Sequence, residues 1–162
     1  MAEMNRAGMD LETALENGGI SMPKLWERPS RHFEAHLDPS GAELLGSSLA
    51  KAAQGTRPTA VMVWYDHEQS VLGHIVAREL SARVIQAYEA SGVLGVEGSL
   101  RATDRVLIVG DYFSSGPELQ QMQALIRNHG AQSIGIATLI GGSALPETGD
   151  IPVMSLVWEY HE

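Results

Sequence analysis

From Asp38 to the end of the chain, short apolar runs of strand length alternate with apolar stripes of helical period, joined by short connections. That alternation leaves few folds open. Strands separated by helices pair in parallel, and a parallel sheet has to be covered by helices on both faces. The sharpest run is Arg-Val-Leu-Ile-Val-Gly at 105–110, continuous apolar residues bounded by turn formers, the pattern of a strand buried on both sides. Residues 59–65 (Thr-Ala-Val-Met-Val-Trp-Tyr) read as a second strand, and 83–88, 133–140 and 152–158 as three more.

Helices fall between them. Ser40-Gly41-Ala42-Glu43 has the form of a capping box opening a helix that turns Leu44, Leu45, Leu49 and Ala53 inward and ends at Gly55. Residues 70–82 put Val71, Leu72, Ile75, Val76 and Leu80 on one stripe. Residues 115–128 do the same with Leu119, Met122, Leu125 and Ile126, before a stop at Gly130. Residues 91–103 are punctuated by glycine and read as a loop. Upstream, residues 10–17 form a short helical pattern, followed by an irregular stretch with Pro23 and Pro29. The expected fold class is α/β: a Rossmann-like parallel sheet flanked by helices. One domain is expected overall, with 1–37 as an N-terminal segment and 38–162 as the core that includes the C-terminal strand.

A chain of 162 residues, 44% apolar, buries a large core without staples. It has no cysteine, which excludes a disulfide framework, a cysteine-bound zinc and a thiol nucleophile. Eleven basic against twenty acidic residues give a formal charge of -9, a field that repels nucleic acid and anionic membranes. The start lacks a signal-peptide core and no apolar run is long enough to span a bilayer, so a cytoplasmic protein is expected, with neither nucleic-acid nor membrane partners. The Gly-x-Ser-x-Gly elbow, the Gly-Lys-Ser/Thr phosphate loop and the Gly-x-Gly-x-x-Gly fingerprint are all missing. Trp26, Trp64 and Trp158 read as packing residues.

Open sheets of this kind bind ligands beyond the carboxyl ends of their strands. Two connections therefore matter, 66–70 (Asp-His-Glu-Gln-Ser) and 111–117 (Asp-Tyr-Phe-Ser-Ser-Gly-Pro). The second, with the strand before it, reads Val106-Leu107-Ile108-Val109-Gly110-Asp111-Tyr112-Phe113-Ser114-Ser115-Gly116-Pro117-Glu118. This resembles the signature of the phosphoribosyltransferases: four apolar residues, two acids, two variable residues, then a Thr-Thr-Gly-Gly-Thr type of loop. His32-Phe33, Asp38-Pro39-Ser40-Gly41 and Glu97-Gly98 resemble the orotate type in particular.

The resemblance implies the type I fold, with a small hood built from the N-terminal segment and the C-terminal strand, and a homodimer. It implies that paired acids hold ribose hydroxyls while the following loop cradles the 5′-phosphate. Position by position, Asp111, Ser114, Ser115 and Gly116 are kept. Gly110 replaces the first acid, Pro117 a glycine and Glu118 the final threonine. Pro117 offers no N–H, and Ser115 to Glu118 has the form of a capping box that fills the anion site with the chain's own carboxylate. The resemblance makes 66–70 the pyrophosphate loop, here bearing Asp66 and Glu68. The closing lid becomes 91–103, preceded by Ala87-Tyr88-Glu89 where the family has an Arg-Lys pair. His67 and His74 are seven residues apart, and His67 carries at most a weak case as a general base.

The expected ligand-binding residues are Asp111, Ser114, Ser115, Gly116, Asp66, Glu68 and Tyr88. The expected ligand is a nucleotide, nucleoside or base, with phosphoribosyl transfer lost or strongly weakened. The alternative is an active orotate-type or purine transferase. No cofactor is required, although Mg²⁺ held by Asp66, Glu68 and Asp111 would serve an active form. A third reading is a scaffold protein whose pocket has closed.

Overall fold

The computed structural model describes residues 35, 37–113, 117–142 and 150–159. Its elements, in chain order, are α1 (Pro39–Ala53), β1 (Ala60–Trp64), α2 (His67–Glu79), β2 (Arg83–Ala90), β3 (Val93–Glu97), β4 (Arg105–Tyr112), α3 (Pro117–Asn128), β5 (Gln132–Gly142) and β6 (Val153–Glu159). They build a six-stranded sheet in the order β3-β2-β1-β4-β5-β6. Every neighbouring pair is parallel except β2 with β3.

The sheet is buried on both faces because the middles of its central strands, 60–63 of β1 and 106–109 of β4, are apolar at every position. Val61 and Val63 of β1, with Leu107 and Val109 of β4, face α1 and α2. Ala60, Met62, Val106 and Ile108 turn the other way, onto Leu119, Met122 and Ile126 of α3. Each fully buried side chain of this size contributes about 1.5–3 kcal/mol over an exposed one, so this double burial dominates the fold.

Helix starts differ from the sequence expectation in an instructive way. α1 opens two residues earlier than the expected Ser40 box, because Asp38 caps it: its Oδ1 accepts from the Gly41 amide at 3.0 Å, and Pro39 sits at the first helical position. Glu43 does not reach back to the cap. It pairs with Arg78 of α2 at 2.8 Å instead.

α2 begins at His67 and not at residue 70, since Asp66 is its N-cap and accepts from the Gln69 amide at 2.7 Å. Residues 66–70 are therefore a capped helix start where a loop was expected. The helix also ends earlier than residue 82. Ser81 takes a left-handed conformation (φ 55°), with Ser81 N–H donating to the Arg78 carbonyl and Ala82 N–H to that of Ala77. α3 ends with the same hydrogen-bond pattern, but there the left-handed residue is Gly130, as the sequence implied. Left-handed backbone strains serine and not glycine, although glycine also adds freedom to the unfolded chain. Ser81→Gly should therefore raise unfolding stability by about 0.5–1 kcal/mol, a gain that urea titration would read directly.

The segment 91–103 is not a long loop. Ser91 (φ 51°) and Gly92 (φ 78°) make a tight two-residue turn, and β3 folds back antiparallel on β2, with Ala90 opposite Val93. The expectation fails because Gly95, which in the linear chain looks like loop punctuation, is a strand residue. It lies opposite Tyr88, where a β-carbon would come within 2.5 Å of the tyrosine Cζ. The last strand, expected in a hood, is the parallel edge of the main sheet beside β5. Of residues 1–37 only Ala35 and Leu37 are described, so the helical pattern at 10–17 and the rest of the hood lie outside the described residues. Among the described residues, no helix is long and apolar enough to cross a membrane.

Candidate functional site at the carboxyl edge

The carboxyl ends of β1, β2 and β4 carry the described residues that the sequence singled out, Asp66, Glu68, Tyr88 and Asp111. β4 runs two residues further than its apolar core, so Asp111 is a strand residue, 5% exposed. Its backbone carbonyl accepts from the Thr138 hydroxyl of β5 at 3.0 Å, and its carboxylate Oδ1 accepts from the Tyr112 amide at 2.7 Å. Thr138 is fully buried, so this end of β4 is tied to β5 inside the fold.

Asp66 and Glu68 lie at the entry to α2. The polar groups there are bonded to one another. The Gln69 side chain accepts from the Trp64 amide at 3.3 Å, Gln86 Nε2 donates to Ser70 Oγ at 2.7 Å, and Ser70 Oγ donates to the Asp66 carbonyl. A helix N-terminus attracts anions through its orphan amides and its dipole. Here a carboxylate of the chain already takes the Gln69 amide.

Tyr88 stands on β2, partly exposed and lying over Gly95 of β3. Tyr65, which no sequence motif marks, follows β1, 60% exposed, with its amide donating to the Ala87 carbonyl at 2.8 Å. Glu118 is in the first turn of α3, while Ser115, its partner in the expected capping box, lies outside the described residues. Ser114, Ser115 and Gly116 lie outside the described residues. Asp66, Glu68 and Asp111, the set that could have shared Mg²⁺, do not come together: among the described residues no three His, Asp or Glu side chains are grouped to hold an ion.

The residue that sequence reasoning missed is Phe113. Its ring is 2% exposed and packs in the α3-side cluster with Leu119 and Met122. A β-carbon placed on Gly110 would lie 2.5 Å from Phe113 Cζ and 2.9 Å from Cε2. The ring thus stands where any side chain at 110 would begin, which accounts for glycine at a position where the signature has an acid.

Charge is segregated along the sheet axis. Lys51, Arg78 and Arg127 occupy the last turns of α1, α2 and α3. Arg57, Arg83, Arg101 and Arg105 lie at the entries to β1, β2 and β4. All belong to the amino edge, so among the described residues the carboxyl edge has no Lys or Arg.

An open, twisted α/β sheet with helices on both faces and its polar residues beyond the strand ends defines the class of sheet that binds ligands at its carboxyl edge. Within that class the fold is that of the type I phosphoribosyltransferases. Adenine phosphoribosyltransferase from Rhodothermus marinus superposes with a TM-score of 0.65 at 19% identity, covering 75% of this chain and 81% of that one. Orotate phosphoribosyltransferase from Mycobacterium tuberculosis, in complex with inorganic phosphate, gives 0.63 at 16% identity, covering 76% and 73%. In sequence, the chain is 25% identical over 121 residues to orotate phosphoribosyltransferase of Caldanaerobacter subterraneus subsp. tengcongensis. That match covers 74% of this chain but 63% of the relative. No protein-family model matches the chain.

Proposed function

We propose that this phosphoribosyltransferase-like chain binds a nucleotide, nucleoside or base at its carboxyl edge and has lost, or greatly weakened, phosphoribosyl transfer. One observation carries the reading: the edge that would receive a pyrophosphate has carboxylates and tyrosines but, among the described residues, no cation. Transfer from phosphoribosyl pyrophosphate develops negative charge on the leaving group, and stabilising that charge is the main work of such a site. Asp66 takes an amide that a phosphate would need, and Tyr88 and Glu89 stand where the resemblance leads one to expect an Arg-Lys pair. Asp111, Ser114, Ser115 and Gly116 would hold the ligand, with Tyr88 as an aromatic wall. The molecule would act as a cytoplasmic homodimer.

A second reading, an active orotate-type or purine transferase, is favoured by the 25% identity to an orotate enzyme and by the superposition on adenine enzymes. It would need cations from a partner subunit and Mg²⁺, for which the described acids form no ready cluster.

The two readings part in one assay. With orotate, adenine, hypoxanthine or guanine and phosphoribosyl pyrophosphate plus Mg²⁺, turnover should fall at least ~10⁴-fold below the ~10 s⁻¹ of an ordinary enzyme. Calorimetry with phosphoribosyl pyrophosphate and Mg²⁺ should show no binding heat. Turnover at ordinary rates with any of these bases would reinstate the transferase.

A further inference from the structure

We infer that Phe113 sets the ligand class of this edge: its ring takes the space that a side chain at 110 would need, leaving Asp111 as a single carboxylate and favouring a free heterocyclic base over the corresponding nucleoside. The selectivity part rests on the proposed binding function; the steric part stands without it. Along β4 the odd positions Leu107 and Val109 face α1 and α2, and the even positions Val106 and Ile108 face α3. Gly110 continues the even series, so its missing side chain would point to the face where Phe113 is packed. That ring is no loose flap. It is 2% exposed and shares its cluster with Met62, Ile85, Leu119 and Met122. Two adjacent carboxylates could grip vicinal hydroxyls from both sides of the strand end, whereas one carboxylate offers a single set of acceptors. A planar base asks less of the site, since it gains from apolar and aromatic faces.

Measurement on the full chain decides it. Gly110→Ala should lower Tm by roughly 4–8 °C through overpacking against the ring. Phe113→Leu, which removes the Cε and Cζ atoms, should also lower Tm, but the pair together should lose clearly less than the sum of the singles. Strict additivity overturns the steric assignment. The second arm is calorimetry with adenine against adenosine, hypoxanthine against inosine and uracil against uridine. The native chain should prefer the base of the pair it binds. Gly110→Asp with Phe113→Leu should move that preference at least ~10-fold towards the nucleoside, the effect of one added charged hydrogen bond, while Phe113→Leu alone should not. A native chain that prefers nucleosides, or a double variant with unchanged preference, overturns the selectivity claim. Failure of the native chain to bind any base or nucleoside defeats the binding function itself, and the thermal cycle still judges Phe113.

Discussion

Pro117→Gly combined with Glu118→Thr should raise the affinity of this chain for inorganic phosphate or a nucleoside monophosphate by about 10- to 100-fold, equivalent to about 1.4–2.8 kcal/mol. Two physical changes contribute. The glycine restores a backbone N–H at the start of α3, where proline has none to offer. The threonine removes a carboxylate from the first helical turn and replaces it with a hydroxyl. Amides and partial positive charge at a helix start attract an anion, and a fixed carboxylate competes for the same field. Glu118→Thr alone should supply most of the gain, because a dianion beside a carboxylate is repelled more strongly than one added amide attracts it. Titration of native and variant chains at low and high salt reads both parts, and the charge-dependent gain should shrink as salt rises. Equal affinity in native and variant chains would overturn the idea that this helix start fills its own anion site.

Much of this architecture was legible in the sequence, because burial on both faces imposes a strong signal. β1 and β4 were readable as continuous apolar runs, and the face-switching of their residues follows from a period of two. α3 was readable down to its stop, since Gly130 is the residue a left-handed cap prefers. What escaped was set by competition between nearby groups. Asp38 and Asp66 outcompeted later candidates for the N-caps, which moved both helix starts and converted the expected pyrophosphate loop into a helical turn. β3 was hidden because Gly95 serves a side chain on another strand, a relation that only pairing reveals. The candidate site is legible only in part. Asp111, Gly110 and Glu118 stand out through the resemblance to the signature, but the crowding of Gly110 by Phe113 is a matter of packing, which no spacing rule encodes. The segregation of all described cations to one edge follows from topology, and the linear chain scatters them from Lys51 to Arg127.

The largest loss of stability from a single polar change should come from Asp104→Ala, about 2–3 kcal/mol. Asp104 is 4% exposed at the entry to β4. One carboxylate oxygen accepts from the Thr59 hydroxyl at 2.9 Å and from the Arg83 guanidinium; the other accepts from the Arg101 amide at 2.8 Å. Its backbone carbonyl accepts from the Gln132 amide at 3.0 Å. Thr59 precedes β1, Arg83 opens β2 and Gln132 opens β5, so this residue ties the amino ends of four parallel strands together. Removing the side chain strands the Thr59, Arg83 and Arg101 donors, while the Gln132 amide keeps its backbone carbonyl. The cost stays below that of a fully buried ion pair because the Arg83 side chain is 37% exposed and can return to solvent. Burial by itself would raise the Asp104 pKa. The hydrogen bonds from Arg83, the Arg101 amide and the Thr59 hydroxyl outweigh it and leave the pKa below the ordinary carboxylate value. A depressed folded-state pKa means stabilisation that is fully present above the unfolded value, near ~3.9, and lost as pH falls through the lower, folded one. The gap in stability between the native chain and Asp104→Ala should therefore be constant from neutral pH down to about 5, and should close only below about 4. Asp104→Asn should lose less at neutral pH than the alanine variant, because it keeps an acceptor for the Arg101 amide, yet it should show none of this acid-side dependence. Urea titrations of the three chains at pH 7 and at about pH 3.5 make the comparison; a gap that persists undiminished in acid would place the stabilisation in packing and not in the ionised carboxylate.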